Sequence, residues 1–218
     1  MAMSRRLPVY LMLDTSGSMS GDPIEAVKEG VKALIADLKT DPQALETAYL
    51  SVITFDNAAN QVIPMTEIMQ FKEPVLEAHG STAMGAALKK LLECYKKEII
   101  KNTSATQKGD YKPLVFLMTD GHPTDDWEKI ADEIGNKVKD NKTFGRFVAL
   151  GAGGGADTEV LKRLTNDVLL IHEMKPDALK AYFKWVTQSI VAGSKSAEVA
   201  AGGSSPLPPP PPDIEIVP

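Results

Sequence analysis

The chain is almost without cysteine. Of its 218 residues one is a thiol, Cys94. A single thiol forms no internal disulfide and cannot build a thiolate metal centre, so disulfide-stapled domains, zinc ribbons and iron–sulfur folds are excluded. Long apolar runs are missing as well. The longest, residues 9–13 and 114–118, are strand-sized, so no membrane-spanning helix is expected. The first eight residues, Met1 to Pro8, lack the apolar centre of a signal peptide, and the expected location is cytoplasmic. Positive charge is in deficit: 24 Lys+Arg stand against 29 Asp+Glu, a net charge of −5. Such a surface has no charge excess to attract phosphates, so neither nucleic acid nor an anionic membrane is an expected partner. What remains is 43% hydrophobic and 24% charged, the make-up of an ordinary globular domain.

Proline divides the chain. Seven of its 15 prolines lie in the last 13 residues, at 206, 208–212 and 218, behind a Gly/Ser/Ala-rich stretch. Residues 5–192 are therefore read as one domain and 193–218 as a disordered Gly/Ser/Pro-rich tail with an acidic end, Asp213-Ile214-Glu215-Ile216-Val217. Within the domain, strand and helix patterns alternate. Residues 9–13, 49–55, 114–118, 147–150 and 168–171 read as strands. Ile24, Val27, Val31, Leu34, Ile35 and Leu38 recur at helical spacing, as do Leu88, Leu91, Leu92, Tyr95 and Ile99. Residues 61–65, carrying Pro64, suit an edge strand. Repeated βα units predict an α/β fold: a Rossmann-like three-layer architecture, its sheet mostly parallel with one antiparallel edge strand and helices on both faces. Ligands in such folds bind at the carboxyl ends of the strands.

Those ends carry oxygen. The first strand runs into Asp14-Thr15-Ser16-Gly17-Ser18, a carboxylate and two hydroxyls at alternate positions. The 114–118 strand runs into Thr119-Asp120-Gly121. Between them, His79-Gly80-Ser81-Thr82 precedes a helix. Asp14, Ser16, Ser18, Thr82 and Asp120 form a hard, all-oxygen donor set, which suits Mg²⁺, with Mn²⁺ or Ca²⁺ also possible, and disfavours zinc or copper. His79, His122 and His172 are left out of the set because it has no need of imidazole. Asp125 and Asp126 are expected to cap the helix that begins near Trp127.

This pattern resembles the von Willebrand factor A domain and its metal-ion-dependent adhesion site (MIDAS), whose motif is D-x-S-x-S, a distant Thr and a later Asp. All five positions are filled here. Further matches, Arg5-Arg6-Leu7-Pro8-Val9-Tyr10, Leu50-Ser51-Val52-Ile53-Thr54-Phe55-Asp56 and Thr119 onward as TDGHPTDD, are similar to the stand-alone A-domain proteins of bacterial tellurium (tellurite) resistance operons, the TerY type. The resemblance implies a cytoplasmic binding module of a stress response, not an enzyme. Its metal would take a Glu or Asp from a protein partner, and a phosphatase or kinase of the same operon is the implied candidate. It also implies that Thr82 and Asp120 exchange direct and water-mediated contact with the metal.

Two enzyme readings compete. Gly151-Ala152-Gly153-Gly154-Gly155-Ala156 mimics a dinucleotide-binding turn, but Asp157 would place negative charge where a pyrophosphate should sit. The strand-end carboxylates also resemble haloacid-dehalogenase-type phosphatases, a metal-dependent phosphotransfer alternative. That chemistry needs a general acid two residues after Asp14, where Ser16 stands. No catalytic residue and no organic cofactor is assigned. The tail itself reads as a disordered end or a docking peptide for another protein; the alternative is self-association, with Asp213 or Glu215 entering the metal site of a neighbouring molecule.

Overall fold

A computed structural model describes residues 5–101, 109–199 and 207–218. The chain order is β1 (Leu7–Asp14), α1 (Asp22–Thr40), α2 (Pro42–Thr47), β2 (Ala48–Phe55), β3 (Ala59–Glu67), α3 (Met84–Glu98), β4 (Leu114–Thr119), α4 (Glu128–Lys139), β5 (Arg146–Ala152), α5 (Thr158–Leu164), β6 (Asp167–Ile171), α6 (Pro176–Val199) and β7 (Glu215–Val217). The strands form one sheet in the order β3-β2-β1-β4-β5-β6-β7. The inner five are parallel to one another, while β3 and β7 run antiparallel at the two edges.

The central strands are apolar throughout because both faces are covered. Every residue of β1 is buried. Its period of two sends Leu7, Val9, Leu11 and Leu13 into a core with α1, α2 and α6. Tyr10 and Met12 enter the opposite core with α3, α4 and α5. Helix α1 presents the stripe read from the sequence, Ile24 to Leu38, and takes Pro23 in its first turn. It packs tightly on α6: a Cβ on Gly30 would lie 2.2 Å from Phe183 Cδ2, so a side chain there would force the two helices apart. On the other face Cys94 is buried, and burial pushes its thiol up to about 11, which leaves it protonated and inert. Three layers result, as the alternation of βα units predicts.

Two expectations need correction. The sheet has two antiparallel edge strands, not one, and the second is made by the tail. Helix α6 also continues past residue 192 to Val199, and residues 207–218 are built onto the domain instead of forming a disordered end. Ile214 is 4% exposed within the α1/α6 core, and β7 pairs with β6 through Leu170↔Glu215, Leu169↔Ile216 and Val168↔Val217. Composition hid this, because a three-residue strand behind five prolines carries no periodic signal. It is held by the unpaired edge of β6, which offers backbone groups that need partners. The expected linker at 200–206 and the first four residues lie outside the described residues.

Candidate metal centre

The predicted donor residues gather at the carboxyl ends of β1 and β4. Parallel pairing with Leu13 opposite Met118 brings Asp14 beside Thr119. The Thr119 hydroxyl donates to Asp14 Oδ2 at 2.5 Å, and the Ser16 N–H donates to Asp14 Oδ1 at 2.8 Å. The D-x-S-x-S loop then bends back, so that Ser18 Oγ donates to Asp120 Oδ1 at 2.8 Å. Ser16 Oγ lies 3.1 Å from Ser18 Oγ and 3.5 Å from the same Asp120 oxygen. Asp14, Ser16, Thr82 and Asp120 are buried, while Ser18 faces solvent.

Thr82 is delivered by backbone zipping. The Gly17 N–H donates to the Gly80 carbonyl and the His79 N–H to the Thr15 carbonyl, which ties the 79–82 loop to the loop after β1. Gly80 has φ +73°, and a Cβ there would fall 2.5 Å from the Asn57 amide, so glycine is required by both backbone and space. A Cβ on Gly121 would meet Thr82 Oγ1 at 3.5 Å, which places that hydroxyl against the β4 end of the site. Asp14, Ser16, Ser18 and Asp120 are thus linked by hydrogen bonds, and Thr82 joins them across Gly121.

Sequence reasoning missed the residues that hold this arrangement. Thr119 was in plain view before Asp120, yet its role depends on the strand register. Thr124 Oγ1 accepts from the Thr82 N–H at 3.1 Å, and the Thr124 N–H donates to the Thr82 carbonyl at 2.9 Å. Asn57 Oδ1 accepts from Ser81 N–H and Oγ. The expectation for Asp125 is corrected. Its carboxylate accepts from Gly85 N and Ala86 N at 2.9 and 2.8 Å, capping α3 rather than α4, whose N-cap residue Trp127 makes no side-chain cap bond. It caps the helix that follows Thr82 because the N-cap position of α3 is Ala83, whose methyl side chain cannot accept a hydrogen bond.

The donor set fits a hard dication. Burial pushes the Asp14 carboxyl above its ordinary value; hydrogen bonds from Thr119 and Ser16 oppose this, and the charge of Asp120 adds to it. Burial likewise raises Asp120, against hydrogen bonds from Ser18 and Ser16. Among the described residues no lysine, arginine or histidine forms an ion pair with either acid. Nor does any group of three His, Cys, Asp or Glu assemble there. Two adjacent buried carboxylates without a cation are costly at neutral pH, and a divalent ion is the partner that hydroxyl-rich surroundings admit. His79 and His122 sit at the rim, with Nδ1 at 3.4 Å from Asp56 and 3.2 Å from Asp157 respectively.

A pH prediction follows with a defined sign. Both carboxyls have folded values raised above their unfolded ones, so their contribution to stability is full in acid and is lost as pH rises through the raised values. In chelator, thermal stability is expected to fall as pH climbs from the ordinary carboxylate range toward neutrality, with a shallower slope in Asp14→Asn. With saturating Mg²⁺ the slope reverses, because the bound form needs deprotonated acids. Identical slopes for wild type and variant in chelator would contradict it.

The glycine-rich turn after β5 has a packing role. A Cβ on Gly155 would lie 2.8 Å from the Asp120 carbonyl oxygen, so the turn rests on the β4 end of the site. Asp157 caps the seven-residue α5, accepting from Glu159 N and Val160 N, and occupies the position a pyrophosphate would need.

Comparison with known proteins agrees with this geometry. Residues 9–176 match the model of the von Willebrand factor type A domain. An uncharacterized protein of Synechocystis, sll0103, is 36% identical over 124 residues, covering 54% of this chain and 26% of that protein. Mouse inter-alpha-trypsin inhibitor heavy chain H2 is 27% identical over 173 residues, covering 73% of this chain and 17% of that one. The chain thus spans about a quarter or less of the length of these relatives. Among solved structures, the von Willebrand factor type A protein of Catenulispora acidiphila superposes with a TM-score of 0.64 at 18% identity, over 87% of this chain and 43% of the other. Proximal thread matrix protein 1 of the mussel byssus, with a zinc-occupied MIDAS motif, gives 0.59 at 19% identity, over 85% and 48%. The matched span runs from β1 to the start of α6 and contains every residue of the candidate site: the chain belongs to the von Willebrand factor type A domain family.

Proposed function

We propose that the protein is a metal-dependent protein-interaction module and not an enzyme. Asp14, Ser16, Ser18, Thr82 and Asp120 would hold Mg²⁺, with Mn²⁺ or Ca²⁺ as alternatives, and a partner protein would bring a Glu or Asp side chain to it. One observation carries the reading: two buried, raised carboxylates stand side by side with hydroxyls around them and, among the described residues, no cationic side chain paired to either. When bound, a hard dication supplies a Lewis-acidic centre that attracts an incoming acid at a position the five side chains leave open. The metal-occupied motif of the mussel protein supports metal binding at such a site, while the oxygen-only donors here favour harder ions than its zinc.

The protein's own groups prepare the surface. Thr119 and the Ser16 N–H fix both oxygens of Asp14, and Ser18 fixes Asp120. The Thr124 and Asn57 bonds hold the 79–82 loop, so the receiving face is rigid before a partner arrives. The further reading is a cytoplasmic tellurite-type stress system whose phosphatase or kinase is the partner. Its support is the resemblance of the Arg5–Tyr10, Leu50–Asp56 and TDGHPTDD segments.

The test is capture of partners from the source cell, with Mg²⁺ and with chelator, by wild type and Asp14→Ala. A protein retained by wild type in Mg²⁺ alone is the expected result. In parallel, acetate added to the Mg²⁺ form is expected to shift the amide resonances of Gly17, Ser18, Gly80, Thr82 and Gly121, with no shift in chelator. Metal-independent capture with no acetate response would overturn the module reading, and turnover of a phosphate ester would favour the phosphatase alternative.

A further inference from the structure

The last twelve residues, 207–218, lie beyond the family match and are packed onto the end of the sheet away from β3. Five contacts hold them. The Trp185 Nε1–H donates to the Pro208 carbonyl at 2.9 Å. Ile214 is buried among the α1/α6 core residues, and Val217 packs against the opposite core. The backbone of β7 completes the edge of β6. The Glu215 carboxylate lies 2.6 Å from His172 Nε2. An indole N–H for a polyproline carbonyl, a pocket for one isoleucine and an unpaired strand edge make a receptor for a proline-rich, strand-forming peptide.

We propose that this receptor also accepts the 207–217 segment of a second copy of the chain, so that two molecules associate by exchanging arms independently of the metal. The chain itself supplies both halves of the recognition, and every contact made within one molecule is available unchanged between two. The connection decides which form wins. Helix α6 runs 14 residues beyond Trp185 to Val199, about 21 Å at 1.5 Å per residue. The nine links from Val199 to Pro208 reach about 31 Å when extended. The arm therefore returns to its own receptor with modest slack, and at an effective concentration on the order of millimolar for a Gly/Ser-rich connection. Exchange prevails at protein concentrations near that value or when the connection is too short. The three-residue β7 is a very short edge strand, a poor template for further strand addition.

Two measurements on the full chain test this. Deleting residues 200–205 leaves three links between Val199 and Pro208, about 10 Å, which cannot span the return. Light scattering is expected to show a dimer with Trp185 fluorescence still that of a buried indole, equally in Mg²⁺ and in chelator. A monomer, or a dimer that dissociates in chelator, would overturn the proposal. Separately, Ile214→Asp alters the arm and leaves the receptor intact. A labelled peptide of residues 206–218 is expected to bind this variant at least about tenfold more tightly than wild type, whose own arm competes. Equal affinity for both proteins, or binding to neither, would equally dispose of it.

Discussion

Asp14→Ala is expected to abolish divalent-cation binding while leaving the fold intact. Wild type held at about a hundred times its metal Kd gains about 2.7 kcal/mol of stability from the ion; the variant gains nothing, and calorimetric titration with Mg²⁺ or Mn²⁺ shows no saturable heat. The reason is positional. Asp14 is fully buried at the end of β1, and both of its oxygens are already aimed by Thr119 and Ser16. Without metal the substitution has opposing effects: it removes a buried charge that burial disfavours, but strands one hydroxyl and one N–H. The apo protein should therefore change little, and the loss should appear in the metal-bound state. Unchanged metal affinity would remove the site from the protein's function.

The second large effect lies at the opposite end of the same strand. Arg6→Ala is expected to destabilise the domain by about 3 kcal/mol, because it leaves a buried carboxylate without its cation. The Asp110 side chain is 2% exposed and accepts from Arg6 Nε at 2.8 Å, from Arg6 Nη2 at 2.6 Å and from the Ile100 N–H at 2.8 Å. The same guanidinium donates to the Glu98 carbonyl and stacks over Tyr49 at 5.0 Å. The hydrogen bond with Asp110 raises the Arg6 pKa above its ordinary value, so the guanidinium keeps its charge. Arg6→Lys keeps the charge but loses the planar fork and should recover only part of the stability. Urea unfolding with an unchanged m-value is the appropriate measure, and a loss below about 1 kcal/mol would show that the pair is solvated.

Arg6 also shows where legibility stops. In the sequence it is a basic residue before a strand, useful for recognising kin. In the structure Arg5 and Arg6 clamp the entry of β1 to residues 109 and 110, with Arg5 donating to the carbonyls of Gly109 and Asp110. Nothing local announces a pairing with a residue more than a hundred positions away. That the five candidate donors converge was legible for the opposite reason. Each sits where a strand ends or a helix is about to start, and in a parallel sheet those places share one edge. Thr124, Asn57 and Asp125 were not legible in these roles, since each acts on the β3–α3 connection or the start of α3 from another connection, Asn57 from β2–β3 and Thr124 and Asp125 from β4–α4.

The two halves of the account have different physical origins. Alternating apolar strands, helical stripes and hydroxyl-rich strand ends are properties of short windows, because residue spacing alone determines which side chains share a face. From those windows the order of the elements other than α2 and β7, the covered sheet and the oxygen donors could be read directly. Tertiary structure decided the rest. The register of β1 against β4 set Thr119 on Asp14, and the unpaired edge of β6 drew in a tail whose composition reads as disorder. Both depend on contacts between segments far apart in the chain, where the energy of satisfying a buried polar group or an open strand edge outweighs any local preference.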